Sequence, residues 1–156
     1  MGLRLRVDQI WLDRQLVAYR APANYAIGAH TIFTIQGGPV WIKAIFARFT
    51  AAEASGSTFA LTVGGVAMQN AAVNVNGAIN TLATFPLGAA AGQVIVPAVL
   101  AQPPFSLANA LLGQVGQGQI ASPGNIVLTV AAALTDGLPE FYVVYQKLQV
   151  VSNIAR

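Results

Sequence analysis

The chain contains no cysteine. That absence excludes disulfide stapling, thiol nucleophiles and thiolate metal ligands, so burial must hold the fold together. Charge is nearly as scarce: eight Lys and Arg and five Asp and Glu make up 8% of 156 residues, against about a quarter in an average globular protein. A surface covered by charge is therefore excluded. The shortage is uneven. Residues 54–135 contain no Asp, Glu, Lys or Arg, while Arg4, Arg6, Asp8, Asp13, Arg14 and Arg20 all fall in the first twenty. Histidine occurs once, as His30, so no zinc centre of the His and Cys type is available. The apolar runs at 94–100 and 126–134 fall far short of the roughly 20 residues a helix needs to cross a bilayer. No signal peptide is expected, because charge interrupts the first twenty residues every few positions. No repeat of fixed period is present.

What is present is β-patterned. Residues 31–50 read as strand, tight turn, strand, broken at Gly37-Gly38-Pro39, where glycine permits positive φ and proline removes a backbone donor. Simple alternation over residues 40–49 places Val40, Ile42, Ala44 and Phe46 on one face and Trp41, Lys43, Ile45, Ala47 and Phe49 on the other. Large apolar groups on both faces predict a central strand. Residues 125–134 and 141–148 are β-branched or aromatic runs around a Thr-Asp-Gly-Leu-Pro-Glu segment and read as a hairpin with a longer loop.

Shorter strands are expected at 58–63 with a Gly64-Gly65 turn, at 72–76 ending in an Asn76-Gly77 turn, at 81–87 and at 93–96. One short helix is expected at 106–112, capped by Ser106 and stopped at Gly113. Several short strands separated by turn residues predict an all-β fold, a single β-sandwich or jelly-roll-like domain. Residues 1–30 are set apart as an extended N-terminal arm with a peripheral strand around Leu3, Leu5 and Val7. Residues 31–150 form the sandwich and 151–156 a C-terminal tail.

Candidate chemistry is thin. His30 has no carboxylate near it in sequence, and a catalytic triad needs a nucleophile, a base and an orienting group in one pocket. Asp136 and Glu140 flank a loop that offers few of the six to eight oxygens calcium takes, and hairpin chemistry accounts for Asp136-Gly137. Gly113, Gly116 and Gly118 lack the lysine and the strand-to-helix context of a phosphate loop. The aromatics Trp41, Phe46, Phe49, Tyr142 and Tyr145 are accompanied only by Lys43, Arg48 and Lys147, too few for a nucleic-acid stacking platform. A net charge of +3 spread over the whole length points the same way. A sugar platform using Trp41 with Asn70, Asn74, Asn76 and Asn80 stays open. The expectation is a protein that is not an enzyme, with no cofactor, no metal, no nucleic acid and no membrane partner.

The segments Thr31-Ile-Phe-Thr-Ile-Gln-Gly-Gly-Pro-Val-Trp-Ile-Lys-Ala-Ile-Phe, Ser122-Pro-Gly-Asn-Ile-Val-Leu-Thr-Val and Phe141-Tyr-Val-Val-Tyr-Gln-Lys-Leu together resemble small virion structural proteins of tailed bacteriophages. The resemblance covers roughly residues 31–50 and 122–148 and does not extend to the first thirty. It implies a head decoration (cement) protein on the capsid surface, usually oligomeric, that reinforces contacts between major capsid subunits. The partners it implies are the major capsid protein and further copies in a homotrimer, in the virion after synthesis in the host cytoplasm. Arg4, Arg6, Trp11, Arg14 and Arg20 are the candidate capsid or neighbour contacts. The alternative is a carbohydrate- or receptor-binding β module of a phage fibre or tail.

Overall fold

The computed structural model describes residues 14–68, 72–85, 118–134 and 137–156. These form eleven strands: β1 (Gln15–Arg20), β2 (Gly28–Gln36), β3 (Val40–Phe49), β4 (Thr58–Val63), β5 (Val66–Ala67), β6 (Val73–Asn74), β7 (Leu82–Phe85), β8 (Gln119–Ala121), β9 (Gly124–Val130), β10 (Pro139–Lys147) and β11 (Asn153–Ala155). They make a β-sandwich of two antiparallel sheets. The first runs β1-β10-β3-β7, with β8 also on β3; the second runs β11-β2-β9-β4-β5, with β6 also on β4. The strand expected around Leu3, that at 93–96 and the helix at 106–112 lie outside the described residues.

β3 is central, as its sequence predicts. β10 lies along one side, while β7 pairs with Ile45–Arg48 and β8 with Val40–Ile42 on the other. Its face assignment is corrected, however. The β10 register slips between Val144 and Tyr145, which face Ala44 and Ile42 and leave Lys43 as a bulged residue. A bulge inserts one residue and reverses the alternation beyond it. Val40, Ile42, Ile45, Ala47 and Phe49 therefore all enter the main core, while Ala44 and Phe46 join a separate cluster. A second bulge in β2 between Thr31 and Phe33 lets the consecutive Ile32 and Phe33 both be fully buried.

Two expected hairpins are also corrected. β2 and β3 do not pair: β2 lies between β11 and β9 in the second sheet, and Gly37-Gly38-Pro39 carries the chain across to the first. β9 and β10 likewise belong to different sheets. A strand-turn-strand pattern has the same periodicity whether the chain folds back in one sheet or arches to the other, so local sequence cannot separate the two. The β4-β5 hairpin does form. Val63 faces Val66, and Gly64 and Gly65 both take positive φ (57° and 82°), as a two-residue loop of this kind requires. Asn76-Gly77 makes no such turn. Gly77 instead exchanges backbone hydrogen bonds with Glu53, at 2.8 and 2.9 Å, and the positive φ falls at Asn80. Residues 151–156 contribute β11, which places Ile154 in the core beside β2.

The interior is aromatic at its centre. Phe141 packs against Tyr25 (5.7 Å, edge-on), Phe59 (6.2 Å) and Phe85 (6.4 Å), and Phe49 stacks on Phe59 at 6.0 Å. Such rings supply large buried area and preferred tilted or offset contacts to a chain that lacks cross-links.

Candidate functional site

The phase change at Lys43 sets the chemistry of the outer face of the first sheet. Beyond the bulge Ala44, Phe46 and Arg48 lie on the side away from the main core, where β10 presents Glu140, Tyr142 and Val144, and Ala44, Phe46 and Val144 are buried there in a second apolar cluster. Tyr19, Tyr142, Phe46 and Thr84 face one another in register across β1, β10, β3 and β7. Phe46 and Tyr142 stack at 4.9 Å and 13°, and Tyr19 lies 5.1 Å from Tyr142. One row of rings thus crosses three strands.

Beside this row stands a buried carboxylate. Glu140 is 3% exposed and accepts hydrogen bonds from Tyr19 Oη (3.0 Å) and Tyr142 Oη (2.8 Å), while Arg48 Nε ion-pairs with its Oε1. A buried charge is tolerable only when paired and hydrogen-bonded, and both of these oxygens are engaged. Burial first, then the hydrogen bond to Glu140 and its negative charge, raise the hydroxyl pKa of Tyr142 and Tyr19. The phenols remain donors, and the arrangement clamps β1 and β3 onto β10.

All four tyrosines are shifted upward, since burial also raises Tyr25 and Tyr145. The folded state therefore holds protons that the unfolded state releases above pH about 10, so stability is complete below that pH and falls as pH rises through it. Phenolate absorbance should show no tyrosine titrating normally in the native protein, with ionisation coinciding with unfolding. A native phenol titrating near its ordinary value that disappears in Tyr142→Phe would contradict the clamp.

A second carboxylate acts on loops. Glu53, also buried, accepts from the backbone N–H of Ser55 (2.8 Å) through Oε1 and of Gly137 (2.9 Å) through Oε2. With its backbone pairing to Gly77 it joins three loops at one end of the sandwich. Glu140 faces Arg48 and the tyrosines, and Asp136 lies outside the described residues. Among the described residues no group of three His, Asp or Glu is placed to hold a metal. His30 is half-buried on β2, its Nε2 2.8 Å from the Ala26 carbonyl oxygen, with its ring in an edge contact with Tyr25.

The candidate contact residues separate. Arg4, Arg6 and Trp11 lie outside the described residues, and Arg14 is exposed just before β1. Arg20 is engaged within its own chain: Nε donates to Tyr25 Oη (3.1 Å) and Nη1 to the carbonyls of Thr31 (3.2 Å) and Ile32 (3.0 Å). A bulge disrupts the ladder, and Arg20 gives these two carbonyls at the β2 bulge a partner. On the sugar-platform side, Lys43 sits over the ring of Trp41, and burial lowers its pKa. Asn74 Oδ1 accepts from Asn76 N (2.8 Å) and Asn76 Oδ1 from Gly56 N (2.9 Å), so these acceptors build turns. Asn70 lies outside the described residues.

Sequence reasoning missed the Glu140–Arg48 pair and its tyrosines. The available signal was the spacing of two, Glu140 to Tyr142 and Phe46 to Arg48, which places polar and aromatic groups on one strand face. Compared with known proteins, the chain matches no family model, no curated protein and no solved structure.

Proposed function

We propose that this protein is a structural virion protein of a tailed phage, seated on the capsid surface as a decoration protein that reinforces contacts between major capsid subunits. The observation that carries the reading is a set of large apolar side chains left exposed on a chain with few charges. The second sheet turns out Thr34, Thr62, Asn125 and Thr129 together with the half-buried Val127, and Val66 of β5 is 58% exposed. On the outer side of the first sheet Phe46 and Val144 are buried, and Val17 on β1 and Ile120 on β8 are the exposed apolar groups. Leu148, Val150 and Val151 are further exposed apolar groups on the turn between β10 and β11. Apolar surface in a charge-poor chain suits contact with protein, and many copies on one lattice gain avidity from modest individual contacts. Self-association, a trimer by the resemblance, belongs to the same reading.

Titration of the purified chain onto capsids of the phage that encodes it tests this. Saturable binding is expected, with occupancy lowered by Ile120→Asp and, if the basic arm takes part, by Arg4→Glu and by rising salt. Occupancy insensitive to both salt and Arg4→Glu would remove the arm from the interface. No binding to the capsid, together with a melting temperature raised by free sugars, would replace this reading with the carbohydrate-binding module.

A further inference from the structure

We propose that Tyr19 and Tyr142 form a built-in oxidative cross-linking site, at which a one-electron oxidant of the peroxidase class joins the two rings as an intrachain dityrosine and fastens β1 covalently to β10. The two side chains are brought together at both ends. At the backbone, Tyr19 and Tyr142 are opposed partners in the antiparallel ladder of β1 and β10, whose register is unbroken from Gln15 to Arg20. Side chains so opposed start with Cβ atoms about 4.5–5.5 Å apart on one face of the sheet. At the far end both hydroxyls donate to one carboxylate, Tyr19 Oη to Glu140 Oε2 at 3.0 Å and Tyr142 Oη to Glu140 Oε1 at 2.8 Å. The ring centroids lie 5.1 Å apart with the planes tilted by 44°. The ring edges beside the hydroxyls are therefore neighbours, and the ortho carbons on those edges carry much of the unpaired spin of a phenoxyl radical.

The surroundings hold this geometry. Phe46 stacks on Tyr142 at 4.9 Å from β3, the strand on the other side of β10 from β1, and Arg48 pairs with the shared carboxylate. The other two tyrosines are placed differently. Tyr25 and Tyr145 are buried: the Tyr25 ring meets His30 and Phe141 and its Oη accepts from Arg20, while Tyr145 Oη donates to Asn153. In a chain without cysteine, the Tyr19 and Tyr142 pair supplies a different route to a covalent tie between strands.

The step balances. Each phenol gives one electron to the oxidant, and its proton passes along the hydrogen bond to Glu140 and on to water. Burial and the neighbouring carboxylate raise both phenol pKa values, so the phenolate is scarce at neutral pH and a positioned acceptor for the proton matters. The two phenoxyl radicals join through one bond between ortho carbons, and the two ortho hydrogens move as protons to the phenolic oxygens and restore both hydroxyls. The chain loses two electrons and two protons in all, which reduce one hydrogen peroxide to two waters. The new bond closes the long stretch of chain between the two residues into one loop, the arrangement in which a cross-link most constrains the unfolded state. The site stands independently of the capsid reading.

Treatment of the full chain with a peroxidase and hydrogen peroxide, at low protein concentration, tests the proposal. The expected product is a monomeric chain lighter by two hydrogen atoms, fluorescent as dityrosine, whose digest contains a peptide joining Tyr19 to Tyr142. Tyr19→Phe and Tyr142→Phe should each abolish that product, whereas Tyr25→Phe and Tyr145→Phe should retain it. No intrachain link under conditions that couple free tyrosine would overturn the proposal. So would coupling only between separate chains, or an intrachain link that maps to Tyr25 or Tyr145 and survives Tyr19→Phe.

Discussion

Phe141→Ala is expected to lower the free energy of unfolding by about 3–5 kcal/mol. The side chain is fully buried and touches aromatic neighbours from three other parts of the chain: Tyr25 before β2, Phe59 on β4 and Phe85 on β7. Truncation removes the transfer free energy of the ring and leaves a cavity that rigid neighbours on two sheets cannot close. Domains are typically stable by only about 5–15 kcal/mol, so a loss of this size approaches the whole margin of a chain without disulfides. Urea unfolding followed by near-ultraviolet circular dichroism measures it. Val127→Ala, half-buried on the outer side of β9, is the control and should change stability far less. A cost for Phe141→Ala no larger than the control's would show that the ring cluster is not the packed centre of the sandwich.

Gly37→Ala should cost roughly 2–5 kcal/mol, from a strained left-handed backbone together with overpacking. Gly37 has φ +73°, and a Cβ there would collide with the carbonyl of Val151, a backbone group that cannot rotate away. Gly56 supplies the matched comparison: its φ is +77°, with nothing within 4 Å of an added Cβ. Gly56→Ala should therefore cost only about 1 kcal/mol, the backbone contribution alone. Thermal melting separates the two, since 1 kcal/mol corresponds to about 2–4 °C in a domain of this size. Equal shifts would mean that the contact with the 148–152 turn does not constrain the β2-to-β3 crossing. The larger Gly37 effect would also loosen the turn that displays Leu148, Val150 and Val151, linking this corner to the proposed contact surface.

The legibility of the chain was uneven, and particular residues show why. Val40 to Phe49 was readable as a central strand because apolar side chains on both faces require cover on both. Gly64-Gly65 was readable as a hairpin because positive φ at two consecutive positions is a local property. The phase of β3 was not readable. Lys43 looks like any residue in an alternating run, and only the β10 register shows that it is the extra one. That one residue decides whether Ile45, Ala47 and Phe49 or Ala44 and Phe46 enter the core.

Arg20 illustrates the same limit for the candidate site. In sequence it is one of several arginines near the N-terminus and is a reasonable contact for a neighbour. In the structure β1 places it beside the β2 bulge, where unpaired carbonyls need a donor. Glu140 reads as a loop carboxylate, yet folding brings Arg48 and Tyr19 to it from distant positions, and burial then demands that all of them be satisfied.

The sequence by itself determined the all-β class, the dependence on burial in place of cross-links, the central place of β3 and the neutral character of the long middle of the chain. Composition and period are summed or local quantities, and no long-range pairing is needed to read them. Only the tertiary structure decided which strands share a sheet, which face of β3 is inside, and which charges meet. Each depends on register between segments far apart in the chain, and a shift of one residue in that register exchanges the core face of a strand for its outer face.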